Sequence, residues 1–244
     1  MRLDKFICKS TQLTKSQAQD VIMSARVSVN GVVNDVLNDQ QINAATQVHE
    51  NNCVMLDGEV LTPRPFRYIL MHKPQETICS NTDGDYPSLF NLLDLDEVDQ
   101  LHIAGRLDVD TTGLVLITDN GRWTFNITRP DKQCPKVYLA KLSYSIESSQ
   151  VESLINRFQH GIALQGESAL TLPALLDVIP PQAASTDTVR LTIIEGKYHQ
   201  VKRMFAAIGN RVKALHREKI GPIQLDVAEG EWRYLTKEEV AAFS

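Results

Sequence analysis

The run Gly105-Arg106-Leu107-Asp108-Val109-Asp110-Thr111-Thr112-Gly113 sets two carboxylates two residues apart, directly before the apolar stretch Leu114-Val115-Leu116-Ile117. A carboxylate presented on a turn can act as a nucleophile in covalent catalysis. Two at this spacing can divide the work, one attacking and one moving a proton, or can hold a metal ion between them. The plainer alternative makes Asp110 a turn or capping residue and leaves at most one reactive group. A second segment with chemical potential is Glu195-Gly196-Lys197-Tyr198-His199-Gln200-Val201-Lys202-Arg203. It gathers a histidine, a tyrosine and three cations. A basic run of this kind binds phosphate or simply solvates a helix face.

Composition narrows the field. The 244 residues suffice for one large domain, or for a small module joined to a medium one, with a sizeable core. No apolar run approaches the length of a membrane span, and the N-terminus lacks the apolar centre of a secretory signal, so a cytoplasmic protein is expected. Cys8, Cys53, Cys79 and Cys134 are scattered without a CxxC pair, which argues against a zinc site and fits reduced thiols. The net charge of −5 does not suggest a nucleic-acid binder, but the distribution does more than the sum. Asp85, Asp94, Asp96, Glu97, Asp99, Asp108 and Asp110 precede a basic C-terminal region with Arg190, Lys197, Lys202, Arg203, Arg211, Lys213, Arg217 and Lys219. Salt screens distant charge over about 10 Å, so a local basic patch can bind phosphate on an acidic protein.

Several elements can position these residues. Leu3, Phe6 and Ile7 recur at helical spacing, and Thr14 followed by Gln17 forms a capping-box pattern before a helix with Ala18, Val21, Ile22 and Ala25 on one face. Asn30-Gly31 between β-branched residues predicts a hairpin. Arg2, Lys5, Lys9, Lys15 and Arg26 stand on this segment, which is therefore a candidate RNA-binding surface. Thr62-Pro63-Arg64-Pro65 reads as a linker. Beyond it, strands are expected at residues 68–71, 114–118, 137–142 and 189–194, and helices at 147–158 and 200–208, the latter ending at Gly209. Asp119-Asn120-Gly121 reads as a turn that stops the second of these strands. Strands and helices do not alternate regularly, so the expected class is α+β with a mainly antiparallel, mixed sheet.

Asp108-Val109-Asp110-Thr111 comes close to the DxDx[T/V] loop of haloacid-dehalogenase-type phosphatases, but there an apolar strand leads into the loop, whereas here it follows. A closer resemblance is to the pseudouridine synthases that carry an S4 RNA-binding domain. Gly105-Arg106-Leu107-Asp108 with Thr111-Thr112-Gly113-Leu114 resembles their signature loop, Lys136-Val137-Tyr138 their second motif, and residues 195–204 their third. Leu215-His216-Arg217-Glu218-Lys219-Ile220-Gly221 resembles the segment that follows. Arg2-Leu3-Asp4-Lys5-Phe6 and the hairpin resemble the start of an S4 domain. One departure is visible: the family usually has Lys-Pro-x-Gly after the first strand of its catalytic domain, and here the run is Lys73-Pro74-Gln75-Glu76. A non-glycine residue where a turn wants positive φ is costly.

The resemblance implies an S4-like module at residues 1–60, a linker at 61–66 and a pseudouridine synthase domain at 67–244. It implies Asp108 as catalytic nucleophile, Tyr138 as the active-site tyrosine that stacks on the base, and Lys202 as the cation paired with Asp108. His199 is expected to pack the third motif rather than act as a base. RNA contacts are expected from Arg2, Lys5, Lys9, Arg26, Arg106, Arg203 and Arg217. The reaction breaks a C–N glycosidic bond and rejoins the uracil through carbon, which calls for neither cofactor nor metal. Residues 108–113 and 199–207 are most similar to the small-subunit branch of the family. That implies a uridine of 16S rRNA, position 516, as target, in free RNA or a partly assembled small ribosomal subunit; a monomer is the default expectation. A 23S rRNA uridine is the nearest alternative target, and a non-catalytic S4-domain assembly factor the nearest alternative role.

Overall fold

The computed structural model describes residues 1–34, 41–179 and 184–243. The chain divides into two compact units, Met1–Pro65 and Phe66–Ser244. In the first, helices α1 (Leu3–Ser10) and α2 (Lys15–Met23) precede strands β1 (Val27–Val29), β2 (Val32–Val33), β3 (Val54–Leu56) and β4 (Glu59–Val60). Thr14 starts α2 as its capping box predicts. The Thr14 hydroxyl accepts from the Gln17 N–H at 3.3 Å, and Gln17 Oε1 accepts from the Thr14 N–H at 2.9 Å. Asn30 and Gly31 both adopt positive φ, 50° and 81°, the backbone that a two-residue hairpin turn demands. The strands form an antiparallel sheet in the order β2-β1-β3-β4. Leu3, Ile7, Ala18 and Ile22 from the helices bury against Val27 and Val54.

The second unit is built on a nine-stranded sheet. Its strands are β5 (Tyr68–Lys73), β6 (His102–Ile103), β7 (Thr111–Thr118), β8 (Lys136–Glu147), β9 (Leu175–Ile179), β10 (Ser185–Ile193), β11 (Val212–Ile220), β12 (Ile223–Gln224) and β13 (Trp232–Tyr234). The order is β13-β5-β7-β11-β8-β10-β9, with β6 added to β7 and β12 to β11. Every pairing is antiparallel except β7 with β11. This is an α+β mixed sheet, dominated by antiparallel pairs. Strand β7 is apolar on both faces because both are covered. Val115 and Ile117 face a core containing Phe158 of helix α4 (Ser148–His160) and Phe205 of α5 (Gln200–Ala207). Leu114 and Leu116 face another, containing Trp123 and Ile127 of α3 (Gly121–Thr128) together with Phe243, just past the short helix α6 (Lys237–Ala241). For α3, α4 and α5 this is the expected arrangement of amphipathic helices on a sheet.

Residues 119–121 do more than turn. Asn120 is the N-cap of α3, its Oδ1 accepting from the N–H groups of Arg122 (3.1 Å) and Trp123 (3.3 Å). The expected turn is thus the start of a helix, because an Asn side chain can satisfy the free amides of a first turn. Gly113, in the middle of the signature loop's Thr-Thr-Gly-Leu, has φ 112° and lies against the backbone of Arg217 in β11. A Cβ there would collide with that backbone, so the parallel pairing of β7 and β11 depends on this glycine.

Candidate active site

The loop at residues 105–110 leads into β7, and its carbonyls are held from below. Lys73, the last residue of β5, is completely buried. Its ammonium donates to the carbonyl oxygens of Pro74 (2.9 Å), Val109 (3.3 Å) and Thr111 (2.9 Å). Burial pushes the Lys73 ammonium below the ordinary lysine value, and the nearby Cys79, Asp110 and Asp108 oppose that shift. The turn after Lys73 adds a backbone bond from the Glu76 N–H to the Val109 carbonyl at 3.0 Å. Glu76 occupies the position where the family usually has glycine, and its φ is 56°. The turn keeps its left-handed residue and this chain bears the strain of a side chain there. The Leu107 N–H contacts Cys79 Sγ at 3.3 Å.

Four titratable groups meet above the loop. Lys202 Nζ lies 2.9 Å from Asp108 Oδ2 and 2.6 Å from Asp110 Oδ1. His199 Nε2 lies 3.3 Å from the other Asp108 oxygen, Oδ1. Burial lowers the Lys202 pKa, but hydrogen bonds to Asp110 and Asp108 outweigh it, and the net shift is upward. For Asp110 the desolvation that would raise its pKa is outweighed by the Lys202 bond and charge, and its carboxyl is held below the usual range. The Asp110 side chain is 65% exposed and that of Asp108 only 32%. The two carboxylates therefore share one cation from different depths.

Lys202 and His199 are placed by the start of α5. His199 is its N-cap, in the left-handed region at φ 48°, where His is among the more tolerant residues. The loop before it is braced by buried polar groups. Gln200 Oε1 accepts from the Lys197 N–H at 2.8 Å, Gln200 Nε2 donates to Glu195 Oε1 at 2.8 Å, and the same oxygen accepts from the Leu172 N–H at 2.9 Å. These bonds fix residues 195–200 as one unit.

Asp108, His199 and Lys202 line a cavity of about 200 Å³ whose lining also includes Tyr138 and Arg217, while Asp110 stands outside it. Arg217, on β11, is 2% exposed. Its guanidinium donates to the carbonyls of Leu114 (2.7 Å) and Gly105 (2.8 Å) and to the Tyr138 hydroxyl (3.3 Å), and its Cζ lies 5.9 Å from the Tyr138 ring centroid. Thr111 Oγ1, also in this lining, is buried and has no hydrogen-bond partner among the described residues.

The expected RNA-contacting residues separate into distinct classes. Arg106 is exposed at the rim of the cavity. Arg2, Lys5 and Arg26 are exposed on the first unit; Arg2 holds Asp4 (2.7 Å) and Arg26 holds Asp57 (2.6 Å). Arg203 is tied to Glu167 (3.2 Å) and to the carbonyls of Tyr198 (3.1 Å) and Gln165 (2.6 Å). Two expectations are corrected. Lys9 is buried, and its ammonium donates to the Pro65 carbonyl at 3.3 Å. Arg217 is buried at the cavity wall, donating to two carbonyls and Tyr138, so neither residue stands as a cation on the protein surface. Reading the sequence also undervalued three residues. His199 and Asp110 join the Asp108–Lys202 group, and Lys73 supports the loop. For Lys73 the signal was a lysine closing an otherwise apolar strand.

A mixed sheet that brings an aspartate, a lysine, a buried tyrosine and a buried arginine to one cavity defines a class that comparison with known proteins identifies. Residues 67–207 match the RNA pseudouridylate synthase family and residues 1–40 match the S4 domain. The chain belongs to the pseudouridine synthase family, whose members are isomerases. It is 48% identical over 244 residues to the ribosomal small subunit pseudouridine synthase A of Vibrio cholerae, covering 99% of each chain. It is 45% identical over 245 residues to the protein of the same name from Escherichia coli K12, again with 99% of each chain covered. A crystal structure of a pseudouridylate synthase superposes with a TM-score of 0.69 at 41% identity and full coverage of both chains. Among the described residues, no helix is long and apolar enough to cross a membrane.

Proposed function

We propose that this enzyme converts one uridine of 16S rRNA, at position 516, to pseudouridine, with Asp108 as the nucleophile. The observation that carries this reading is the Asp108 carboxylate at the cavity wall, held on one oxygen by Lys202 at 2.9 Å and approached on the other by His199 at 3.3 Å. The near end-to-end likeness to relatives named for the small ribosomal subunit supports the target.

The chemistry follows from the groups present. The target base is inaccessible while stacked and enters the cavity only by flipping out, at a cost of a few kcal/mol. Tyr138 offers the base an aromatic face, and Arg217 fixes its hydroxyl, which still has a proton to donate. Asp108 attacks C1′ as the C1′–N1 bond breaks, the freed uracil turns within the cavity, C5 then bonds to C1′ as the Asp108–C1′ bond breaks, and the proton lost from C5 is balanced by one gained at N1. Substrate and product have the same atoms, so no electron acceptor or donor enters the balance. Lys202 pairs with both Asp108 and Asp110, and losing it would leave two carboxylates facing each other without their cation. Arg106 at the rim meets the RNA backbone, and on the first unit, taken by itself, Arg2, Lys5 and Arg26 are exposed cations for RNA. Free 16S RNA or a partly assembled small subunit supplies the substrate, and the enzyme acts as a monomer.

Carbodiimide labelling with primer extension tests this on 16S and 23S RNA from cells lacking the protein and from cells given back wild type or Asp108→Asn. A 16S stop that disappears without the protein and returns only with wild type is the expected result. A change at a 23S stop would overturn the target and keep the reaction. Return of the stop with Asp108→Asn would overturn the role of Asp108.

A further inference from the structure

We propose that Tyr198 is a stacking platform for the nucleobase next to the target uridine, joined to the reacting aspartate through His199. The Tyr198 side chain carries a large aromatic ring yet is 76% exposed. Its ring stacks on His199, with centroids 3.8 Å apart and planes inclined by 21°. His199 in turn reaches Asp108 at 3.3 Å. One exposed π-face therefore stands a single side chain away from the group that attacks the nucleotide.

The loop that carries the ring is held by its backbone. Tyr198 lies between Lys197, whose N–H is bonded by Gln200, and His199, whose positive φ fixes the direction of the chain. Its carbonyl accepts from Arg203 at 3.1 Å. The loop thus presents an aromatic ring to water beside the cavity, braced on one face by His199, an arrangement that adds nothing to the core and suits a partner. Flipping a uridine out of a stack exposes the faces of its neighbours. An aromatic ring beside the cavity can take the vacated stacking position, and stacking on an aromatic side chain favours a base without reading its identity. The charges nearby are engaged elsewhere: Lys197 lies 3.7 Å from Glu167 and Arg203 binds the same carboxylate. A flat neutral base therefore suits this position better than a phosphate does.

This inference rests on the pseudouridine synthase reading of the cavity, and the test separates the two. The substrate is the RNA in which the mapping above finds the Asp108-dependent pseudouridine, rebuilt by ligation so that the residue 5′ or 3′ to the target carries either its base or an abasic ribose. Single-turnover conversion and binding are measured for wild type, Tyr198→Phe, Tyr198→Leu and Tyr198→Ala, with thermal melting as a control for folding. Tyr198→Phe should stay within about twofold of wild type and Tyr198→Ala should lose about tenfold or more, as loss of one stacked base requires. At one flanking position the abasic ribose should cost wild type the same factor and cost Tyr198→Ala nothing further. Multiplying penalties at both positions, or wild-type conversion by Tyr198→Ala, would overturn the platform while leaving the catalytic reading intact. Loss of activity that tracks a lowered melting temperature and is equal in the Phe and Ala variants would overturn it as well.

Discussion

The cations of the two units live under different rules. On the first unit Arg2 and Arg26 are exposed and each holds one nearby carboxylate. Water and salt screen the exposed Arg26–Asp57 pair, and ordering two long side chains costs entropy, whereas Arg2 reaches down to an Asp4 that is itself buried. In the second unit, Lys73 and Arg217 are buried and each donates to three acceptors. Lys202 is intermediate, partly exposed and shared by two carboxylates. Positive charge on the surface is available to a polyanion, while the same charge in the interior is a structural brace for the loop that presents Asp108. A count of Lys and Arg along the chain cannot distinguish the two, and the difference is open to measurement.

The largest effect is expected from Arg217→Met. It leaves the Leu114 and Gly105 carbonyls and the Tyr138 hydroxyl without their donor, and orphaned buried groups cost about 1–3 kcal/mol each. Urea unfolding should show a loss of about 3 kcal/mol or more, with conversion falling beyond what the unfolded fraction explains. An unchanged midpoint would mean that Arg217 braces nothing, and the comparison would collapse. Glu76→Gly works in the opposite direction. It relieves a side chain at φ 56° under the Asp108 loop and should stabilise the protein by about 0.5–1 kcal/mol, the gain offset in part by a freer unfolded chain. Destabilisation would show that the Glu76 side chain itself is needed.

A neutral group sharpens the same contrast. His216 bonds Thr112 at 2.8 Å and packs against His72, with ring centroids 5.2 Å apart. Burial pulls its pKa below the ordinary value and His72 adds to this, while Glu218 and Glu229 oppose it. A depressed histidine pKa means that the unfolded chain binds more protons, so its contribution is complete above about pH 6.5 and is lost as pH falls from there toward the folded value. The denaturation midpoint should therefore drop through that window in wild type and drop less in His216→Gln. Equal slopes would assign the acid sensitivity to other groups. The smallest effect belongs to Arg26→Ala, which should leave the urea midpoint essentially unchanged because its pair with Asp57 is exposed. Its RNA affinity should weaken with the salt slope reduced by about 1 if Arg26 meets a phosphate. No change in that slope would remove Arg26 from the RNA surface.

Much of this protein was legible in its residues. The capping box at Thr14, the Asn30-Gly31 hairpin, the apolar run of β7 and the helix ending before Gly209 are local signals, decided by φ preferences and by periodicities of two and 3.6 residues. The resemblance of residues 105–114 and 195–204 to separated family motifs pointed to Asp108, Lys202 and the class of reaction. Locality also set the limit. Whether Asn120 closes a strand or opens a helix depends on the core that receives Trp123. Lys9 and Arg217 read as surface cations because nothing in the chain nearby records that they are covered. His199 and Asp110 became neighbours of Asp108 and Lys202 only when the start of α5 was brought over the loop before β7. Sequence alone determined which side chains could react and where the strongest local signals place a helix, strand or turn, since these depend on neighbours along the chain. Tertiary structure decided which charges are buried, which are shared and which face water, because burial and electrostatics depend on distances between residues far apart in sequence.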